Sequence, residues 1–515
     1  MRIACIYTVD SYFSIEHPLV TATEIPFGIS MIITVLQQAG HEVDLLVITP
    51  DTNLDDCVGK YIIENKPQMF GFTAVSTQYW QAKRVAEYVR RIDPTITLVL
   101  GGHHASLNTE KVAADRVFNM ICVGEGESAI VELANNFEGS RLKIKKIAGL
   151  WVDDDLTGDL TKNPPKEFQV SLDDLPLINR KIWDDWISRP HDYPSLLLGR
   201  GCPFKCTYCA NHAMAKLSEG KYVRFRSPEN IVSELEYIRS HYRDVERVYL
   251  EVETFGANRK ASYAIFDALA EYNQSLVKPL KFGVNLALTS SFMKNKERIH
   301  ETLGKARAAN LVTINIGLES GSERMRKDVL IRPKYTNEEL IEFCTIAKTY
   351  GIHIIFFVLM GLPEETIDDY METVRVARAA QPLTCYVSIF FPYLGTDLAT
   401  HALQVGLVRE ENLSPRGERT HTELDLPGFS RRRIRFEYIV FWWRVYWGYW
   451  SYGKIFANIS RSIFRAHPKL YSIFIYFRDN NVVVKRLADR YGNRSQLNQL
   501  VASKTVGTRV DVVSN

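Results

Sequence analysis

Short apolar runs alternate with helix-length segments twice over in this chain, and that alternation sets the fold class. RIACIY (Arg2–Tyr7), VDLLVI (Val43–Ile48), MFGFTAV (Met69–Val75), TLVL (Thr97–Leu100) and MICV (Met120–Val123) read as strands. Between the first two, ISMIITVLQQ (Ile29–Gln38) has helical spacing and stops before Gly40, a natural C-cap. Such alternation, with strands ending in small or polar loops, predicts a doubly wound, Rossmann-like parallel sheet over residues 1–145. Its ligand belongs outside the carboxyl ends of the strands. A second series follows: SLLLGRG from Ser195, VYLEV from Val248, FGVNL from Phe282, VTINIGLES from Val312, IIFFVLMG from Ile354 and YVSIFFPY from Tyr386. These predict a partial TIM-like (β/α)6 barrel over 191–400, with its chemistry at the C-terminal strand ends. Residues 146–190, punctuated by Pro164-Pro165, Pro176 and Pro190, read as a linker, and 401–515 as a helical C-terminal region.

Composition narrows the class. With 46% hydrophobic and 24% charged residues in 515, the α/β chain builds cores and is not wholesale disordered. Eight cysteines are too sparse for a disulfide scaffold. MRIACIYTVD shows no charged leader, and no window of about 18 apolar residues occurs, so neither a signal peptide nor a membrane-spanning helix is expected. The expected setting is a reducing cytoplasm, peripheral at the inner membrane face should the C-terminus engage lipid. The net charge of +3 conceals a split: from Arg431 onward 16 basic residues face 4 acidic, which is +12 and leaves −9 for the rest.

The most specific motif is Gly201-Cys202-Pro203-Phe204-Lys205-Cys206-Thr207-Tyr208-Cys209, just after the first barrel strand. Three thiolates can hold three irons of a [4Fe–4S] cluster and leave the fourth open to a substrate. Structural zinc would need a fourth protein ligand, and His212 alone follows nearby. CPFKCTYC resembles the signature of radical S-adenosylmethionine enzymes, with Tyr208 before the last cysteine. IGLESGSERMRK (Ile316–Lys327), FVLMGLPEET (Phe357–Thr366) and FFPYLGTDL (Phe390–Leu398) resemble later strands of the same barrel. The resemblance implies that Cys202, Cys206 and Cys209 ligate the cluster, and that S-adenosylmethionine on the open iron yields a 5′-deoxyadenosyl radical, which takes hydrogen from an unactivated carbon. By position it places Tyr208 near the adenine, Glu251 or Glu253 at the methionine amino group, and Glu319 toward polar groups of the cofactor. Two departures from the family pattern are Asn285, where arginine is frequent, and Glu364, where GLPGET has glycine.

The first domain resembles the cobalamin-binding domain of one class of these enzymes. The resemblance rests on TEIPFGISMIITVLQQAGHEV (Thr23–Val43), GFTAVSTQY (Gly71–Tyr79), VLGGHHAS (Val99–Ser106) and VGEGE (Val123–Glu127). It implies a crevice with Ser76 and Thr77 as hydroxyl donors, and Gly101, Gly102, His103, Gly124, Glu125 and Gly126 close to the cofactor. Glycines at strand ends would let a bulky tail approach the backbone. No Asp-x-His-x-x-Gly string occurs, so no histidine is expected on cobalt, and His103 keeps its plainer reading as a loop residue.

The C-terminus carries Arg431-Arg432-Arg433 and FEYIVFWWRVYWGYWSYGKIF. Spacing places Trp443, Trp447 and Trp450 on one helix face. The segment either closes the barrel or meets anionic lipid headgroups. Nucleic acid is not expected, because no binding module accompanies the charge. The resemblance favours a cobalamin-dependent C-methyltransferase acting on a small molecule, a lipid or tetrapyrrole among the candidates, with a reductase, flavodoxin or ferredoxin as electron donor. The alternatives are an oxidative cyclase or rearrangement enzyme, and a non-catalytic cobalamin sensor or carrier, which would not need CPFKCTYC. A methylthiotransferase would need cluster cysteines in the first domain, where Cys5, Cys57 and Cys122 sit on or beside strands like apolar core residues.

Overall fold

Eight strands open the chain: β1 (Arg2–Thr8), β2 (Leu19–Thr21), β3 (Glu42–Ile48), β4 (Met69–Thr73), β5 (Thr97–Gly101), β6 (Met120–Cys122), β7 (Leu150–Asp153) and β8 (Leu160–Lys162). They belong to a computed structural model that describes residues 1–467 except 11, 13, 140, 154–158 and 414–417; residues 468–515, with much of the basic tail, lie outside it. All but β2 join one sheet in the order β3-β1-β4-β5-β6-β7-β8. The strands β3, β1, β4, β5 and β6 run parallel, a doubly wound order whose direction of growth reverses between β1 and β4. Phe70, Phe72, Leu98, Leu100 and Ile121 fill the core beneath the helices.

The 146–190 stretch does more than link. β7 adds antiparallel to β6 and β8 antiparallel to β7, extending the first sheet, and β9 (Ile187–Arg189) pairs parallel with β2. Strands of three or four residues have too few positions to show a period, so the sequence alone does not reveal them.

The next strands are β10 (Ser195–Leu197), β11 (Gly199–Arg200), β12 (Arg224–Phe225), β13 (Arg247–Phe255), β14 (Lys281–Leu286), β15 (Leu311–Glu319), β16 (His353–Met360) and β17 (Thr384–Ile389). Six of them form the parallel sheet β10-β13-β14-β15-β16-β17, in sequence order as a (β/α) barrel requires. Side-chain caps start the helices between them; Thr336 with Glu339 and Thr366 with Asp369 form complete capping boxes. SLLLGRG is not one strand. Gly199 and Arg200 leave the barrel and pair antiparallel with Phe225 and Arg224. The approach is so close that a Cβ at Gly201 (φ +87) would collide with the Tyr222 carbonyl, so only glycine fits there.

Met1–Ile434 form one compact unit, and the residues from Arg435 onward a second. Among the described residues of the second unit, the helix that began at Arg431 ends at Tyr446, and another spans Tyr452–Arg465. Trp443 stacks on Trp447, as the spacing predicts, but Trp450 stacks on Trp442 and Tyr446 instead. The helix stops before Trp450, and Gly448 (φ +93) turns the chain, so the helical period no longer applies. Among the described residues no helix is long and apolar enough to cross a membrane.

Candidate active site

The cysteine loop leaves β11 at the carboxyl end of the barrel and is pinned from two sides. Thr207 donates from its backbone N to the Leu330 carbonyl and from Oγ1 to the Val329 carbonyl (2.7 Å), and its own carbonyl accepts from Leu398 N (2.8 Å). Cys206 is buried, and Cys202 and Cys209 are partly exposed, so the loop presents sulfur toward a space a ligand can enter. Asn211 Nδ2 lies 3.8 Å from Cys209 Sγ, and Tyr222 Oη holds Asn211 at 2.7 Å. Burial pushes the Cys202 thiol up to about 12, so a thiolate there would need the positive charge of a bound metal. Among the described residues no trio of His, Cys, Asp or Glu closes on a single metal ion. His212, the one nearby candidate for a fourth zinc ligand, faces Asp397 at 3.5 Å. A three-thiolate set without a fourth protein ligand fits the [4Fe–4S] cluster.

Tyr208 and Glu319 meet directly: Tyr208 Oη donates to Glu319 Oε1 at 3.1 Å. Between them lies Arg332, which sequence reasoning missed. Its guanidinium donates to Tyr208 Oη, to the Gly317 carbonyl (2.6 Å) and to Glu319 Oε1 (3.5 Å). The Arg332 and Glu319 side chains are 14% and 11% exposed, so this is a buried pair. Burial pushes the Glu319 carboxyl up, opposed by Arg332 and by the Tyr208 hydroxyl. Glu319 also adopts φ +57, a left-handed conformation that costs a non-glycine residue about 1–2 kcal/mol. Arg332 Nε is buried with no hydrogen-bond partner among the described residues.

Glu251 and Glu253 occupy alternate positions at the end of β13. Glu251 is half-buried and Glu253 exposed. Burial, followed by the neighbouring Glu253, pushes Glu251 up to about 7. Below them Asn285 belongs to a polar layer that the sequence did not announce. Tyr249 Oη donates to Asn285 Oδ1 (2.6 Å), and Asn315 Nδ2 donates to Tyr249 Oη (2.9 Å) and to Asn285 Oδ1 (3.2 Å). The strand period of two was the available signal: Asn285 and Asn315 are register partners, and Tyr249 pairs with Gly283, two residues before Asn285 on β14. Glu364, where the family pattern has glycine, adopts φ +63, which is why glycine suits that position.

In the first sheet, β4 runs into Ser76 and buried Thr77, and Ser76 Oγ lies 3.3 Å from His104 Nδ1. His103 is exposed; His104 is the buried histidine, stacked by Tyr79 at 4.3 Å, with burial pushing it down to about 4. Gly102 (φ +92) follows Gly101, and a Cβ on Gly102 would fall 2.9 Å from the Ala74 carbonyl. A Cβ on Gly124 would fall 3.2 Å from Pro165, and one on Gly126 3.0 Å from Cys122 Sγ. At Gly102 and Gly124, both at positive φ, the protein's own backbone already calls for glycine, whatever a cofactor adds, while at Gly126 the packing is tight. Glu125 turns its carboxylate onto Arg200 and Arg224. Cys57 lies half-buried in a helical turn, unlike the strand-associated Cys5 and Cys122, which are buried.

The two strand-end crevices converge. The segment His103–Leu107 after β5 packs against Ala210–Met214 after Cys209. Asn108 Nδ2 donates to the Leu394 carbonyl at 3.3 Å, beyond the last barrel strand.

Comparison with known proteins agrees with this geometry. Residues 196–377 match the radical SAM superfamily and residues 20–134 the B12 binding domain. An uncharacterised methyltransferase of Pyrococcus horikoshii is 25% identical over 399 residues, covering 76% of this chain and 82% of the relative. The anaerobic magnesium-protoporphyrin IX monomethyl ester cyclase of Rubrivivax gelatinosus is 24% identical over 374 residues, covering 70% of this chain and 63% of the cyclase. Among solved structures, the radical S-adenosylmethionine methyltransferase TsrM of Kitasatospora setae, with cobalamin and a [4Fe–4S] cluster bound, superposes with a TM-score of 0.61 at 18% identity, over 79% of this chain and 76% of that one. OxsB, a cobalamin-dependent S-adenosylmethionine radical enzyme, gives 0.66 at 13% identity over 98% and 78%. With both domains in one chain, and three free cysteines at the strand end where the cluster belongs, the protein belongs to the cobalamin-binding radical S-adenosylmethionine enzymes, with a [4Fe–4S] cluster, S-adenosylmethionine and cobalamin as its cofactors.

Proposed function

We propose that this enzyme is a cobalamin-dependent C-methyltransferase acting on an unactivated carbon of a hydrophobic small molecule. The observation that carries the reading is the convergence of the two crevices: the loop after β5 packs on the helix that follows Cys209. A methyl carrier and a radical generator must reach one substrate carbon, and adjacent binding edges support that. Cys202, Cys206 and Cys209 would hold the cluster; Tyr208, Glu251, Glu253, Asn285 and Glu319 would contact S-adenosylmethionine. Ser76, Thr77, Gly101, Gly102, His103, Gly124 and Gly126 would line the cobalamin crevice. When bound, these cofactors supply a carbon-centred radical and a transferable methyl group. The residues of the chain do the rest: Thr207 fixes the cysteine loop, Arg332 and Glu319 orient Tyr208, and Glu251 holds or releases a proton near neutrality.

A hydrophobic substrate is supported by the aromatic lining of the open barrel. Phe357 and Tyr386 stack at 5.6 Å, with Tyr386 53% exposed, and Tyr193 meets Tyr249 edge-on at 5.7 Å. In the second unit, exposed Trp443, Trp447, Tyr452 and Phe456 form one aromatic patch beside basic residues, which supports contact with anionic lipid. Co-sedimentation with anionic but not neutral vesicles, lost in Trp443→Ser/Trp447→Ser, tests that contact.

The reaction is tested by anaerobic reconstitution with cobalamin, a flavodoxin- or ferredoxin-type donor and methyl-deuterated S-adenosylmethionine, with extract metabolites as substrate. Methyl transfer gives 5′-deoxyadenosine, S-adenosylhomocysteine and a labelled product, with deoxyadenosine and labelled product absent in Cys206→Ala. Deoxyadenosine with no labelled product would point to oxidative cyclisation instead, the reaction class in the name of the Rubrivivax relative.

A further inference from the structure

The acidic pair in Gly124-Glu125-Gly126-Glu127 resembles a cofactor loop, yet its carboxylates face the barrel. Glu125 accepts from Arg200 Nη1 (3.0 Å), from both terminal nitrogens of Arg224 (2.8 and 3.0 Å) and from the backbone N of Gln169 (2.9 Å). Glu127 accepts from Arg200 Nη2 at 2.6 Å. The four side chains are 3–22% exposed, so water screens them little. Although burial alone would raise it, the two arginines hold the Glu125 carboxyl down to about 2.

The arginines are neighbours across the two-stranded ribbon that carries the cysteine loop. Arg200 is the register partner of Arg224 and stands two residues before Cys202. Arg224 Nε donates to the Tyr222 carbonyl, and Tyr222 Oη holds Asn211, whose amide meets Cys209 Sγ. One carboxylate of the B12-binding domain thus braces the ribbon beside Cys202 and, through Tyr222, the far end of the loop at Cys209.

We propose that Glu125 is a positioning residue, an electrostatic latch that fixes the cluster loop against the B12-binding domain, and not a ligand of either cofactor. Two bidentate-capable arginines on one buried carboxylate set direction as well as distance, which fixes the orientation of the ribbon against the loop after β6. The latch is electrically balanced, two carboxylates against two guanidiniums, so removing one carboxylate leaves a net positive charge beside the cluster. The proposal rests on the cofactor set and not on methyl transfer, so its readouts hold whichever reaction the enzyme catalyses.

The test uses the reconstituted holoenzyme and Glu125→Gln, which keeps the shape and removes the charge. Cobalamin affinity, read by absorbance titration, is expected within twofold of wild type. The cluster midpoint potential, read by EPR-monitored titration, moves to a less negative value, and deoxyadenosine formation falls at least tenfold. Glu125→Gln/Arg224→Gln, balanced in charge again, returns the midpoint toward wild type. Should Glu125→Gln fail to assemble, Glu127→Gln carries the same readouts, with a smaller shift of the same sign. A tenfold loss of cobalamin affinity with an unmoved midpoint would make Glu125 a cofactor ligand and overturn the proposal. An unmoved midpoint with unchanged deoxyadenosine formation would overturn it equally.

Discussion

Replacing Arg332 with methionine isolates the electrostatics at the mouth of the barrel. The substitution preserves length and apolar volume and removes three donated bonds, to Tyr208, Gly317 and Glu319. It leaves Glu319, whose side chain is 11% exposed, as a buried carboxylate with no cation. Removing one partner of a buried ion pair costs about 3–5 kcal/mol when the survivor stays charged. Glu319 has an escape, because burial already pushes it upward and it can take a proton. Protonation saves about 1.4 kcal/mol for each pH unit below the new pKa. The expected loss is therefore about 3 kcal/mol at pH 8, shrinking to about 1 kcal/mol at pH 6. Hydrogen exchange of the β15 amides, read at both pH values, measures it locally without requiring two-state unfolding of the whole chain. Glu319→Gln/Arg332→Met, with no ionisable carboxyl left, should lose less at pH 8 than Arg332→Met alone. An equal loss at both pH values, or strict additivity of the two substitutions, would refute the buried-pair account.

Three further outcomes follow from the same geometry. Gly201→Ala drives a Cβ into the Tyr222 carbonyl at φ +87, so iron incorporation after anaerobic reconstitution should drop severalfold, with the far-UV spectrum unchanged. Glu364→Gly relieves a left-handed residue (φ +63) and should raise stability by about 1 kcal/mol, less the exposed His401 contact it gives up; an unchanged urea midpoint would speak against strain there. Glu251 is raised from an unfolded value near 4.5 to about 7, so its contribution to stability is full below pH 4.5 and is lost as pH climbs through 7. Glu251→Gln should flatten that decline, and, if the carboxylate receives the methionine amino group, also abolish the rise in S-adenosylmethionine affinity across pH 7.

What could be read in advance was local. Cys202, Cys206 and Cys209 lie within eight residues, and Tyr208 stands among them, so their spacing is visible without a fold. The helix ending at Gln38 was legible because burial on one face writes a period into the chain, and Val43–Ile48 because a short continuous apolar run marks a strand buried on both faces. The misreadings were local patterns cut short by tertiary events. SLLLGRG looked continuous until Gly199 and Gly201 let the ribbon peel from the barrel. Trp450 looked like a helical neighbour of Trp447 until Gly448 ended the geometry. The strand-end glycines were found, but their reason changed, since Gly102 is already demanded by its approach to Ala74.

The chain by itself determined two parallel-sheet regions, the close spacing of three cysteines and a basic aromatic C-terminus, because periodicity, short spacing and composition are properties of neighbouring residues. Tertiary structure decided which charges meet. Glu125 finds Arg224 across 99 residues, and Arg332 finds Tyr208 across 124. No pattern in the chain encodes such a distance; the first contact exists only once the two sheets have packed together, and the second only once the barrel has brought the segment after β15 to the cysteine loop. Burial then turns ordinary carboxylates and arginines into a latch and a brace, since outside low-dielectric surroundings the same pairs would be worth little.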